Sequence, residues 1–173
     1  WTLTQFAQAD DLLVVGTHKT GYVNGRVLGT RPLAIATGAC CSVAVIPDAP
    51  SVRSGVIVGV ASFAASRAAI IAGAREAGGT GQELTLLRAE ATETGRADLT
   101  EAVALAIATS PRLVVRSRLS RRRPAEALLD ASRSSALLVL GATDPRDVHV
   151  HHLGSVLYEV LLNINSPVLI ARG

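Results

Sequence analysis

Two loops of this chain bring glycine, a hydroxyl and charge together at one spacing. The first reads Gly16-Thr17-His18-Lys19, nine residues, then Gly29-Thr30; the second reads Gly141-Ala142-Thr143-Asp144, nine residues, then Gly154-Ser155. A phosphate needs backbone N–H groups that approach closely and the positive end of a helix, and glycine permits that approach. In the first loop Lys19 and Arg26 add positive charge, Gly21 and Gly25 add freedom, and Thr30 offers a hydroxyl to a phosphate or to the helix start. That loop suits a polyphosphate. In the second, Asp144 stands where Lys19 stands and repels one.

The elements that carry these loops also recur. Leu12-Leu13-Val14-Val15-Gly16 matches Leu137-Leu138-Val139-Leu140-Gly141, and Val43-Ala44-Val45-Ile46 matches Val168-Leu169-Ile170-Ala171, all at an offset of 125. A constant offset over several segments marks an internal repeat. Residues 1–50 read as the C-terminal part of a first copy and 51–173 as a complete second one, joined by the periodicity break Pro47-Asp48-Ala49-Pro50-Ser51. On that reading roughly 70 residues of the first copy precede Trp1.

Apolar runs alternate with helical patterns through the second copy. Strands are expected at 56–61, 84–89, 113–118, 137–141 and 167–171. The helices between them include one ending at Gly78-Gly79, one opened by the capping-box-like pair Asp98 and Glu101, and one starting at Pro124. The helix opened by Asp98 shows Leu99, Val103, Ala106 and Ile107 on one face. Residues 2–9 read as the end of a helix, followed by strands at 11–16 and 42–47 with a helix at 29–39 between them. Short strands that are apolar on both faces, alternating with helices, describe an α/β fold with an open, doubly wound parallel sheet. Ligands of such sheets sit beyond the carboxyl ends of the strands, where both glycine loops begin.

These loops resemble the nucleotide-binding loop Gly-x2-Gly-x9-Gly-Ser/Thr of the universal stress protein family. The resemblance implies a Rossmann-like five-stranded sheet of order 3-2-1-4-5, similar to the adenine nucleotide alpha hydrolases, occurring in tandem. It also implies ATP with Mg²⁺ in the first copy alone, on Gly16, Thr17, His18, Lys19, Gly29 and Thr30, with Gly141, Gly154 and Ser155 as a vestigial counterpart. The middle glycine of the motif is Lys19 in one copy and Asp144 in the other. Binding members end their first strand in Asp, and the second copy has Ala61 there. The family implies a cytoplasmic stress-response module whose copies associate through their terminal strands, Val43 to Ile46 and Val168 to Ile170. Those strands lie on open edges in the order 3-2-1-4-5, and edges invite pairing. The alternatives are a non-nucleotide scaffold in which both glycine frames survive only as helix starts, and a weak ATP hydrolase, for which no acidic metal ligand or base is in view.

Composition narrows the partners. The net charge of +3 comes largely from arginine, much of it between Arg112 and Arg123, but aromatic residues are only 3% of the chain. With so little to stack on bases, the Arg121-Arg122-Arg123 run reads as a solvated turn and not as a nucleic-acid interface. His149, His151 and His152 have no second ligand cluster, so no metal site is assigned. Ser62 and Ser66 lack the setting of a catalytic triad. Cys40 and Cys41 are adjacent and read as reduced, buried small hydrophobes in a reducing compartment. No run of 18 or more apolar residues marks a membrane span.

Overall fold

The structure, a computed structural model, describes residues 3–17, 30–47, 52–89, 92–142 and 154–173. A 3-10 turn at Leu3–Gln5 leads to β1 (Leu12–Gly16), α1 (Thr30–Gly38) and β2 (Ser42–Ile46). Then follow β3 (Val56–Gly59), α2 (Phe63–Thr80), β4 (Leu84–Ala89), α3 (Glu93–Thr109) and β5 (Val115–Ser120). The chain continues with α4 (Pro124–Ser132), β6 (Leu137–Gly141), α5 (Ser155–Leu162) and β7 (Val168–Ala171). The strands form one seven-stranded sheet in the order β1-β2-β7-β6-β3-β4-β5. From β3 to β7 all pairs are parallel and the order is the expected 3-2-1-4-5.

The sheet has seven strands and not five because β2 adds to β7. Leu13 pairs with Val43 and Leu138 with Val168, so β1-α1-β2 and β6-α5-β7 close in the same register, 125 positions apart. These two units meet antiparallel, with Val43 opposite Ile170, Ala44 opposite Leu169 and Val45 opposite Val168. Ala44 and Leu169 are equivalent positions of the repeat, so the seam has local two-fold symmetry about that pair. The terminal strands, expected to lie on edges that invite pairing, pair with each other within one chain through Val43 to Val45 and Val168 to Ile170, and each has a neighbour on its other side.

Arg172 fastens the seam. Its guanidinium donates to Cys41 O at 3.0 Å and to Ala36 O at 2.5 Å, and its backbone N–H donates to Ser42 Oγ at 3.1 Å. A cation on the last turn of α1 meets carbonyls that the helix leaves unpaired. Burial lowers the Arg172 pKa from its ordinary value, and the charges of Cys41 and Cys40 partly oppose that. An arginine so placed keeps its proton at physiological pH.

Two apolar layers sandwich the sheet. One face packs Ile57, Leu87, Leu138 and Leu140 against α1, α4 and α5; the other packs Val56, Val58, Leu84 and Val139 against α2 and α3. At β1 the second layer is absent among the described residues, and Leu12 and Val14 are 55% and 63% exposed.

Several boundaries differ from the sequence reading, each for a local reason. Of the helix end expected at 2–9, the described residues before β1 hold only the 3-10 turn at Leu3–Gln5. α2 runs through Gly78 and Gly79 to Thr80 and stops at Gly81, whose φ of 66° is the left-handed cap that glycine takes without strain. α3 starts at Glu93, capped by the Thr92 hydroxyl that accepts from Gly95 N–H, so Asp98 is not its cap. Ala102 takes the buried place on α3 assigned to Ile107, which is 45% exposed. β5 lies two residues later than expected, at Val115–Ser120. Both cysteines are free, but only Cys41 is buried; Cys40 is exposed and its thiol donates to Ala7 O at 3.0 Å.

Two glycines of α2 separate packing from propensity. A Cβ at Gly73 would lie 2.3 Å from Val58 Cγ2, in a fully buried layer, whereas a Cβ at Gly79 would meet nothing within 4 Å. Alanine gains about 1 kcal/mol of helix propensity over glycine, and overpacking costs about 1–3 kcal/mol. In urea unfolding, Gly79→Ala is expected to raise stability by up to about 1 kcal/mol and Gly73→Ala to lower it by about 1–2 kcal/mol. Adding Val58→Ala to Gly73→Ala should recover part of that loss.

Candidate functional site

The second glycine frame opens on a hollow of about 390 Å³ at the carboxyl ends of β3, β4 and β6. Gly59, Val60 and Ala61 form one wall, Leu87, Arg88 and Ala89 a second, and Gly141, Ala142, Gly154 and Ser155 a third. Glycine is needed at the end of β6, because a Cβ at Gly141 would lie 2.9 Å from the Ala65 carbonyl oxygen in the first turn of α2. Gly154 and Ser155 start α5, whose first N–H groups receive no side-chain cap. The frame's described residues Gly141, Gly154 and Ser155 therefore converge on one cavity at a strand switch point.

The polar groups of this hollow face the fold rather than the cavity. At the β3–α2 turn, Ser62 Oγ accepts from Ala65 N–H at 3.2 Å and Ser66 Oγ accepts from Ala61 N–H at 2.9 Å. From the end of β4, Arg88 donates to the Ala61 carbonyl and pairs with Asp98 Oδ2 at 3.3 Å. Asp98 Oδ1 accepts from Phe63 N–H at 2.8 Å, so one carboxylate on α3 holds both the arginine and the start of α2. Both side chains are largely buried, 13% and 16% exposed. Beside Ala61, where a carboxylate is expected in binding members, the structure has a cation already neutralised by its own partner.

Arg88 and Asp98 were missed as site residues from sequence. An arginine within the apolar strand Leu84–Ala89 requires a buried partner, and that was the available signal. Asp98 was read as a helix cap, a role the structure gives to Thr92.

In the first frame Gly16 ends β1 and Thr30 begins α1. Thr17 N–H donates to Ile46 O at 3.0 Å. Its side chain is 5% exposed, and its Oγ1 has no hydrogen-bond partner among the described residues. His18, Lys19 and Gly29 lie outside the described residues, as do Asp144, His149, His151 and His152. Among the described residues no group of three or more His, Cys, Asp or Glu is placed to hold a metal, and no helix is long and apolar enough to cross a membrane.

Breaking a largely buried pair from one side leaves the other charge uncompensated. Asp98→Ala is therefore expected to cost about 2–4 kcal/mol in denaturant unfolding. Asp98→Ala combined with Arg88→Met should cost less than Asp98→Ala alone. Equal losses in the single and double variants would show that the pair is not coupled.

No family model matches the chain, and no curated protein matches it. Solved structures do. A universal stress protein in complex with cAMP is 25% identical over 70% of this chain and 98% of its own, with a TM-score of 0.61. A universal stress protein from Archaeoglobus fulgidus DSM 4304 has a TM-score of 0.74 at 17% identity, covering 92% of this chain. This chain spans 62% of that protein's length. An Archaeoglobus fulgidus universal stress protein in complex with dAMP is 17% identical over 70% of this chain and all of its own, with a TM-score of 0.54. The sheet order, the glycine frame at the strand ends and these likenesses together give the chain the fold of the universal stress proteins.

Proposed function

We propose that this chain is a tandem universal stress protein module that binds an adenine nucleotide through its first glycine frame and carries a degenerate second site. In this reading 1–50 is the C-terminal part of a first copy and 51–173 a complete second copy, acting in the cytoplasm in stress adaptation. The common register of β1-α1-β2 and β6-α5-β7 supports the division.

The observation that carries the nucleotide reading is Thr17. A buried hydroxyl without a partner costs about 1–3 kcal/mol relative to a satisfied one. It sits at the carboxyl end of β1, beside Gly16 and ahead of Lys19, where a phosphate oxygen would meet it. The ligands of two similar structures, cAMP and dAMP, support adenine nucleotides as the class, and ATP with Mg²⁺ is the form proposed. Ala61 and the Arg88–Asp98 pair support degeneracy of the second site, since among the described residues neither a free carboxylate nor a free cation lines it. A second reading, a nucleotide-independent scaffold, draws support from the β2–β7 seam, which joins the two units without any ligand.

Calorimetric titration of Mg-ATP into the protein separates these readings. One site is expected. Thr17→Val should weaken it about tenfold, the worth of one hydrogen bond to a charged group, without lowering thermal stability. Ser155→Ala should leave affinity within about twofold. Absence of binding leaves the scaffold, and loss of binding in Ser155→Ala would place the nucleotide in the second frame.

A further inference from the structure

We infer that the outer edge of β5 is a docking strand for an extended acidic peptide, which adds to the sheet beside Val115–Ser120. Among the described residues β5 pairs only with β4, so one side of its backbone has no strand partner. Leu84 N–H donates to Val114 O, and in a parallel ladder that places the groups of 114, 116, 118 and 120 toward β4. The N–H and C=O groups of Val115, Ser117 and Leu119 therefore face outward. They are a ready template for strand addition.

The two faces of this edge differ in chemistry, and the difference defines the partner. On the α3 face lies a hollow of about 430 Å³ lined by Leu99, Val103 and Leu119 with Arg96, Thr100 and Ser117 at its polar margin. On the α4 face stand Arg116 and Arg118, and Arg118 borders a polar groove of about 580 Å³ with Glu83, Thr85, Asp130, Ser134 and Ser135. Arg121, Arg122 and Arg123 continue from the strand, and Arg133 approaches from the end of α4. The carboxylates of this region are Glu83, Glu126 and Asp130. Glu83 pairs with Arg116, and Asp130 with Arg122 and Arg133. Among the described residues no carboxylate is within ion-pair distance of Arg118, Arg121 or Arg123.

An added strand alternates its side chains between these faces. A peptide of alternating acidic and apolar residues puts carboxylates over the arginines and apolar groups into the hollow. The same arginines repel a second copy of β5, which favours an acidic partner over self-pairing. A nucleic acid would use the arginines but not the outward backbone groups or the apolar hollow.

The test is fluorescence anisotropy with a labelled ten-residue peptide of alternating glutamate and valine. Controls are a peptide of the same composition with its glutamates in one block, and a labelled single-stranded oligonucleotide. The alternating peptide is expected to bind at least about tenfold more tightly than the block peptide, and more tightly than the oligonucleotide. Arg118→Glu with Arg121→Glu should weaken it about tenfold or more. Ser117→Pro removes an outward N–H without touching the β4 ladder or any arginine, and should weaken binding to a similar degree. Should that variant fail to fold, amide hydrogen exchange on the unaltered protein decides, with slowed exchange expected at Val115, Ser117 and Leu119 when peptide is added. Binding insensitive to Ser117→Pro, unchanged exchange at those amides, or tighter binding of the oligonucleotide would each overturn the proposal.

Discussion

The rest of the structure depends on three residue pairs, Val43–Ile170, Ala44–Leu169 and Val45–Val168, which join two units of the repeat into one sheet. Each unit ends in a short apolar strand that, alone, would expose a row of unpaired backbone groups. Because the two strands are copies of one another, running them antiparallel about Ala44–Leu169 makes each the complement of the other. Arg172 then closes the joint from the side by meeting carbonyls at the end of α1 and the start of β2. The seam also removes these strands as contact surfaces for other molecules. Among the described residues the outer sides of β1 and β5 have no strand partner.

The same repeat places two glycine frames at equivalent strand ends, but their chemistry has diverged. At the second, Ser66 Oγ accepts from Ala61 N–H, and the Asp98 carboxylate holds both Phe63 N–H and Arg88. A ligand entering there would find mostly apolar walls and a neutralised ion pair. At the first, the buried Thr17 hydroxyl has no partner among the described residues, two positions before Lys19 in sequence.

Much of the fold was legible because its strands are short apolar runs separated by glycine and proline, and because the repeat gave the same boundaries twice. Association of the copies through their terminal strands was legible from the family resemblance, but the register of the β2–β7 seam was not. That register depends on contacts between residues about 125 positions apart, which periodicity does not encode. Asp98 misled for a physical reason: an aspartate three residues before a glutamate has the pattern of a cap, yet the actual start of α3 is set by Thr92. Gly141, Gly154 and Ser155, the described residues of the second glycine frame, line one cavity. Arg88 entered that cavity from β4, a strand whose sequence carries no motif, so only the tertiary arrangement reveals what fills the place of the carboxylate.

The central claim is that the second hollow has lost its nucleotide chemistry to the Arg88–Asp98 pair. Backbone amide NMR of the protein titrated with Mg-ATP tests it most directly. The resonances of Gly59, Ala61, Ala89, Gly141 and Ser155 should remain unmoved at millimolar nucleotide. Saturable shifts at those amides, abolished by Ser155→Ala, would contradict it.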